Sequence, residues 1–325
     1  MAPSKQYGTG LHYLTPDAPL DDIIHLLKRD GAVGVRGLVS VTDLDQTYDE
    51  IKDRMNTDRE WEEEFFPKET KRVNGLIGAS PTYTRTQAMN PLFQSLCTEL
   101  LTTRSTFWWG DTRKESVSKP YVTAAVAIQI GPGGKAQPLH GDSYVNHRVR
   151  EEIEDWMMVT KENGGTQIIP GSHLWYASLH LFFPLLSLSF RLLYDILLGI
   201  DLTFLIIARS TSRPTPPDPS LIITPTLEKG DALLIYSSVM HGGGNNITTD
   251  NYRLVYSTFA VRGYLRQEEN QFLAIPREVV TTLDRQTQQF IGYYISEPAC
   301  GHVEQMDPIY VLYPELLGEG GPRDF

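Results

Sequence analysis

The chain reads as a mainly β, α+β protein whose core is an antiparallel double sheet of jelly-roll type, with helices flanking it on the N-terminal side. Three observations predict this. Helical apolar spacing is confined to the first third of the chain. Short β-branched runs separated by turn clusters dominate from residue 121 onward. Finally, 325 residues with 41% apolar and 21% charged content can bury a full core, and a single domain over 1–325 suits a β-rich enzyme best.

Residues 21–29 place Ile23, Ile24, Leu26 and Leu27 at helical spacing and end at Asp30-Gly31, a C-terminal stop signal. Residues 32–39 follow as a strand, and 41–55 as a second amphipathic helix. The acidic stretch 56–72 reads as an exposed loop or lid, and 91–101 as a third helix. The β-branched run 121–130 stops at Gly131-Pro132-Gly133-Gly134, a turn cluster. Strands are then expected at 155–160, 166–169, 232–237 and 254–261.

A net charge of -11 argues against a protein that binds nucleic acid through its backbone, since that requires a basic face to displace phosphate counterions. A small organic molecule is the expected partner. Cys97 and Cys300 stand far apart without metal-binding spacing, which fits a reducing cytoplasm. Residues 1–15 lack the apolar core of a secretion signal. Residues 179–208 are long and apolar enough to span a bilayer, but Pro184, Arg191, Asp195 and Asp201 would be costly there. A span at that point would also divide the metal site described next, so a membrane is not the expected partner.

His140-Gly141-Asp142 follows the strand 121–130 and its turn. In extended backbone, residues two apart face the same side, so one imidazole and one carboxylate can meet a single ion. An H-x-D pair arises by chance too readily to decide anything alone. The support comes a hundred residues later, where 230–236 forms a turn feeding an apolar strand that leads to His241 and three glycines behind it. Two histidines and one carboxylate on one face of an octahedron leave three positions open, the arrangement of oxygen-activating iron(II) sites. Zinc would prefer a closed tetrahedron or a single open position. His241 could otherwise be a core histidine satisfied by a carbonyl.

Arg253 begins the strand after His241. If those strands are neighbours, its guanidinium points toward the metal and can grip a dicarboxylate through a paired contact. The alternative is a surface ion pair, the expectation for Arg262 and Arg266. Tyr144 and the aromatic run Phe107-Trp108-Trp109 are candidate pocket linings, although such residues are more often core. His147 and His173 are expected to be structural or exposed.

The motifs 136–142, 162–173 and 229–245, together with Arg253, resemble the phytanoyl-CoA dioxygenase family, especially its fungal members that tailor meroterpenoids and alkaloids. The early Asp30-Gly31-Ala32 and the late 274–277 are similar to the family as well. The resemblance implies a cupin-like double-stranded β-helix in which His140, Asp142 and His241 bind Fe(2+). Arg253 would hold the far carboxylate of 2-oxoglutarate, with Gln137 and Thr166 hydrogen-bonding the same co-substrate. It further implies use of O2, decarboxylation of 2-oxoglutarate to succinate, and oxidation of a small secondary-metabolite intermediate, terpenoid or alkaloid. Because Asp142 is present, no ligand position is left for a halide, so hydroxylation, desaturation or rearrangement is implied in place of halogenation. A symmetric homodimer is a further expectation for a small oxygenase.

Two departures from the family pattern stand out. Only residues 143–163 separate Asp142 from Gly164, which leaves 155–160 to serve as a core strand, and an apolar insertion occupies about 176–213. The second reading is therefore a catalytically impaired relative, a metal-binding β-barrel. The composition of 176–213 suits a translated pyrimidine-rich intron; transcript sequencing that finds the run retained in mature message would make it a genuine lid or membrane-surface helix.

Overall fold

The computed structural model describes residues 10–57, 65–142, 155–161, 165–174 and 217–318. The segment 176–213 and the residues Tyr144 and His147 lie outside these. Expected helices appear as α1 (Leu20–Asp30), α2 (Val41–Asn56) and α5 (Pro91–Leu101). Each carries its sequence signal. Helix α1 ends at Gly31 in the left-handed region, φ 75°, whose amide closes on Leu27 O. The Ser40 hydroxyl caps α2 by accepting from Asp43 N, and Asn90 caps α5 ahead of Pro91.

Eleven strands are described: β1 (Tyr13–Leu14), β2 (Ala32–Val35), β3 (Thr70–Val73), β4 (Thr103–Trp109), β5 (Thr112–Ser118), β6 (Tyr121–Ile130), β7 (Asp155–Lys161), β8 (Thr166–Ile168), β9 (Ala232–Tyr236), β10 (His241–Gly243) and β11 (Arg253–Val261). Seven form one sheet in the order β1-β2-β9-β7-β11-β6-β3, antiparallel except for β1 with β2. A second, short sheet pairs β10 with β8 and is extended by single bridges from His140 to His241 and from Ile168 to Ile223. The strand squeezed between Asp142 and Gly164 is therefore present. It is β7, in the interior of the large sheet, in continuous register with β9 on one side and β11 on the other.

The two faces of the large sheet do different things. On β11, Leu254, Tyr256, Thr258 and Ala260 are buried toward the helices, and Tyr83 donates to the Ser257 carbonyl and shares a 2.6 Å bond with Thr258 Oγ1. The α1, α2 and α5 side chains Ile23, Leu27, Leu44, Ile51, Phe93 and Leu96 complete that core. The alternate residues Arg253, Val255, Ser257 and Phe259 face the other way, beside Ile130, Ile128, Val126 and Ala124 of β6, and line a cavity between the two sheets. The period of two thus sorts one strand into a packing face and a site face.

The structure departs from expectation in several elements. The stretch read as a loop, 56–72, runs into β3, whose Thr-Lys-Arg-Val composition suits an edge strand pairing with β6. The aromatic run neither lines the cavity nor enters the core. Trp108 is 68% exposed and Trp109 48%, on the polar hairpin of β4 and β5. Helices α3 (Leu76–Ala79), α4 (Pro81–Tyr83), α6 (Gln271–Ala274), α7 (Arg277–Val280) and α8 (Arg285–Ile291) are too short for periodicity to announce them. No helix among the described residues is long and apolar enough to cross a membrane.

Candidate active site

The H-x-D pair and the distant histidine meet through backbone pairing. His140 N donates to His241 O at 2.8 Å and His241 N to His140 O at 2.7 Å, so the two residues form a mutual antiparallel bridge. Gly242 permits this approach, because a Cβ there would stand 2.9 Å from the Gln137 carbonyl oxygen. One ligand atom each from His140, Asp142 and His241 lies within 4.8 Å of the others. Asp142 reaches both rings, its Oδ1 3.4 Å from His140 Nε2 and its Oδ2 3.4 Å from His241 Nε2.

Both imidazoles are oriented in the same way. His140 Nδ1 stands 2.8 Å from the Pro138 carbonyl and His241 Nδ1 2.9 Å from that of Val239, so each Nδ1–H donates to a backbone oxygen two residues earlier. Nε2 of each ring is thereby left to face Asp142, which is the aim that a metal ligand requires. Burial alone would raise the Asp142 pKa, but the neighbouring His241 and His140 hold the carboxyl well below the usual carboxylate range. Burial opposes charge on His241 too, yet the Asp142 carboxylate and the Val239 carbonyl raise its pKa above the ordinary imidazole value. Such a dense set of donors around one point, each aimed by a second contact, suits a divalent cation.

The approach to His241 is fixed from below. Ser172 Oγ accepts from Met240 N at 2.8 Å, and Ile169 N donates to Met240 O at 2.9 Å. The Pro170-Gly171-Ser172-His173 run therefore acts as a brace for the residue before the ligand. His173 itself is structural: its Nε2 lies 3.2 Å from Lys28 O and its ring packs on Tyr236. Phe65 stands edge-on to His140 with centroids 4.9 Å apart. Local sequence does not single out Ser172 for the site; for Phe65 the signal is the Phe65-Phe66 pair, apolar within an acidic stretch.

The cavity beside the triad has a volume of about 300 Å³, and its walls include His140, Asp142, His241, Arg253, Gln137 and Thr166 together. Strand β11 is not adjacent to β9, since β7 intervenes, yet the Arg253 guanidinium still reaches this cavity. Arg253 is buried, its Nη2 donates to Gly244 O at 2.6 Å, and no carboxylate among the described residues pairs with it. Burial pushes its pKa down, so an anion in the cavity would offset the cost of burying this cation. A hollow of about 340 Å³ lined by Tyr121, Tyr264, Phe272 and Tyr294 contains none of these residues.

Residues 27–255 match the family model of phytanoyl-CoA dioxygenase (PhyH). The chain is 30% identical to the dioxygenase swnH1 of Metarhizium robertsii, over 97% of this chain and 96% of that one. It is also 30% identical to the dioxygenase cnsJ of Penicillium expansum, over 94% and 86%. Among solved structures, the non-heme alpha ketoglutarate dependent epimerase SnoN from nogalamycin biosynthesis is similar in fold, with a TM-score of 0.50 and 16% identity over 78% of this chain and 86% of that chain. Motif order, site geometry and these likenesses agree: the chain belongs to the phytanoyl-CoA dioxygenase family of non-haem iron, 2-oxoglutarate-dependent dioxygenases.

Proposed function

We propose that His140, Asp142 and His241 hold Fe(2+), that Arg253 with Gln137 and Thr166 holds 2-oxoglutarate, and that the enzyme hydroxylates, desaturates or rearranges a small secondary-metabolite intermediate, terpenoid or alkaloid. The observation that carries this is the single cavity holding three convergent ligand atoms and a buried arginine. The metal, when bound, supplies the oxygen activation that no side chain here can provide. The residues do the rest. His140 and His241 present Nε2 because their Nδ1 protons are committed to Pro138 and Val239. Asp142 supplies negative charge and fills the third ligand position. Arg253 fixes the far carboxylate and so orients the 2-oxo acid end toward the metal.

The apolar wall of Ala124, Val126, Val255 and Phe259 supports a largely hydrocarbon substrate. Two sheets facing one cavity support a double-stranded β-helix of jelly-roll type, formed by one domain over 1–325. The reading also carries the expectations of a cytoplasmic location, resting on cysteine usage, and of a symmetric homodimer, resting on the commonness of two-fold pairing. The impaired-relative reading loses its main support in β7, which is a continuous interior strand.

Anaerobic titration with Fe(2+) and 2-oxoglutarate tests the assignment. A visible charge-transfer band should form, disappear in His241→Ala and persist in His173→Ala. Equal behaviour of the two variants would remove the ligand assignment.

A further inference from the structure

Gly243 sits where the three residues assigned to the co-substrate meet. Its amide donates to Gln137 Oε1 at 3.2 Å, its carbonyl accepts from Gln137 N at 2.7 Å, and it pairs in register with Thr166. A Cβ at this position would stand 3.3 Å from Arg253 Nη2, 3.6 Å from Ile130 Cδ1 and 3.8 Å from Gln137 Oε1. Gly165 flanks the other side of the guanidinium, where a Cβ would overlap Arg253 Nη1. The two glycines differ in kind. Gly165 has φ 136°, a conformation that explains its identity by itself. Gly243 is not in the left-handed region, and a glycine within a strand weakens it. What its missing side chain leaves is room beside Arg253, on the cavity wall.

We infer that Gly243 sets the length of the 2-oxo diacid that the site admits, an inference resting on the assignment of Arg253 above. A methyl on residue 243 would enter the space between the Arg253 guanidinium, Gln137 and Ile130, where a carboxylate held by Arg253 and Gln137 would sit. Displacing it toward the metal by about 1.5 Å, one carbon–carbon bond, disfavours a five-carbon diacid and still accommodates a four-carbon one. Ile130 bounds the same volume from β6, so its terminal methyl is the second determinant of length.

The test is diacid binding to the Mn(2+)-loaded protein by calorimetry, with oxaloacetate, 2-oxoglutarate and 2-oxoadipate as probes. Gly243→Ala should lose about tenfold or more in affinity for 2-oxoglutarate and stay within about threefold for oxaloacetate, with Mn(2+) affinity unchanged. Ile130→Val, a milder change that covers the case of an unfolded alanine variant, should raise the affinity ratio of 2-oxoadipate to 2-oxoglutarate by about threefold or more. Equal losses for both diacids in Gly243→Ala, or an unchanged ratio in Ile130→Val, overturn the role of this wall. Failure of the wild type to bind 2-oxoglutarate, or undiminished binding in Arg253→Ala, overturns the arginine assignment and the inference with it.

Discussion

At the residue scale, the site is a set of side chains whose freedom has been removed by their neighbours. His140 and His241 each spend one ring nitrogen on a carbonyl two residues back, and Arg253 spends one amino group on Gly244 O. What remains on each points into the same cavity. The two kinds of ligand should separate by mutation. Asp142→Ala is expected to abolish metal binding and turnover together. Arg253→Ala should weaken 2-oxoglutarate by about 2–4 kcal/mol, the worth of a buried charge-assisted pair, and leave Fe(2+) affinity nearly intact. Calorimetry with metal alone and then with co-substrate checks the split, and equal 2-oxoglutarate affinity in the arginine variant would contradict it. Ser172 belongs at this scale too. Ser172→Ala removes the acceptor of Met240 N, should cost about 1 kcal/mol of stability, and should lower metal affinity because the next residue is His241. Unchanged metal affinity in that variant would confine Ser172 to a folding role.

At the scale of elements, β11 and β6 carry the arrangement, because their alternation gives one face to the helices and the other to the cavity. The helical layer is tied down by polar contacts that are absent from the site. Glu50 of α2 accepts from the Ser80 hydroxyl, from Thr82 N at 3.1 Å and from Thr82 Oγ1 at 2.7 Å, clamping the start of α4. Burial would raise the Glu50 pKa, but these donors outweigh it and the net shift is downward. Its stabilisation is therefore complete above the unfolded carboxyl value, about 4.3, and is lost as pH falls through the lower folded value. Glu50→Gln should cost about 1–2 kcal/mol at pH 7, and the gap from wild type should close in acid. Denaturant melts at pH 7 and pH 3 measure it; a gap that widens in acid would contradict the clamp.

Elements also show what local pattern could reveal. Strand β6 and helix α5 fall where the sequence places them, and each has a chemical boundary, the Gly-Pro-Gly-Gly turn that ends the β-branched run and the Asn90 cap before Pro91 that starts the helix. Strand β3 and the β4–β5 hairpin were missed because their side chains are charged or exposed and carry no burial pattern. Strand β2 ends at Val35, earlier than its apolar run, because Gly37 turns there and gives its amide to Asp231.

At the scale of the whole molecule, folding and ligand binding are coupled, since the triad and Arg253 come from segments that only the native sheets bring together. Mn(2+) with 2-oxoglutarate at about one hundred times its dissociation constant should stabilise the protein by about 2.7 kcal/mol, and sodium succinate at the same concentration by less. Thermal melts read this directly. An unchanged midpoint with both ligands present would mean that the cavity does not bind them in the folded state.

The sequence by itself supplied the candidate ligands, since H-x-D and a strand-terminal histidine can be read without a fold, and it pointed to the family through the order of its motifs. It also marked the arginine. Only the tertiary structure decided that these residues share one cavity, that β7 occupies the interior of the large sheet despite the short interval before it, and that the conspicuous tryptophans stand in solvent. The physical reason is that ligand chemistry is a property of single side chains and their immediate spacing. Proximity across a hundred residues depends on strand register and on where a glycine lets two backbones touch, and neither is written in local periodicity.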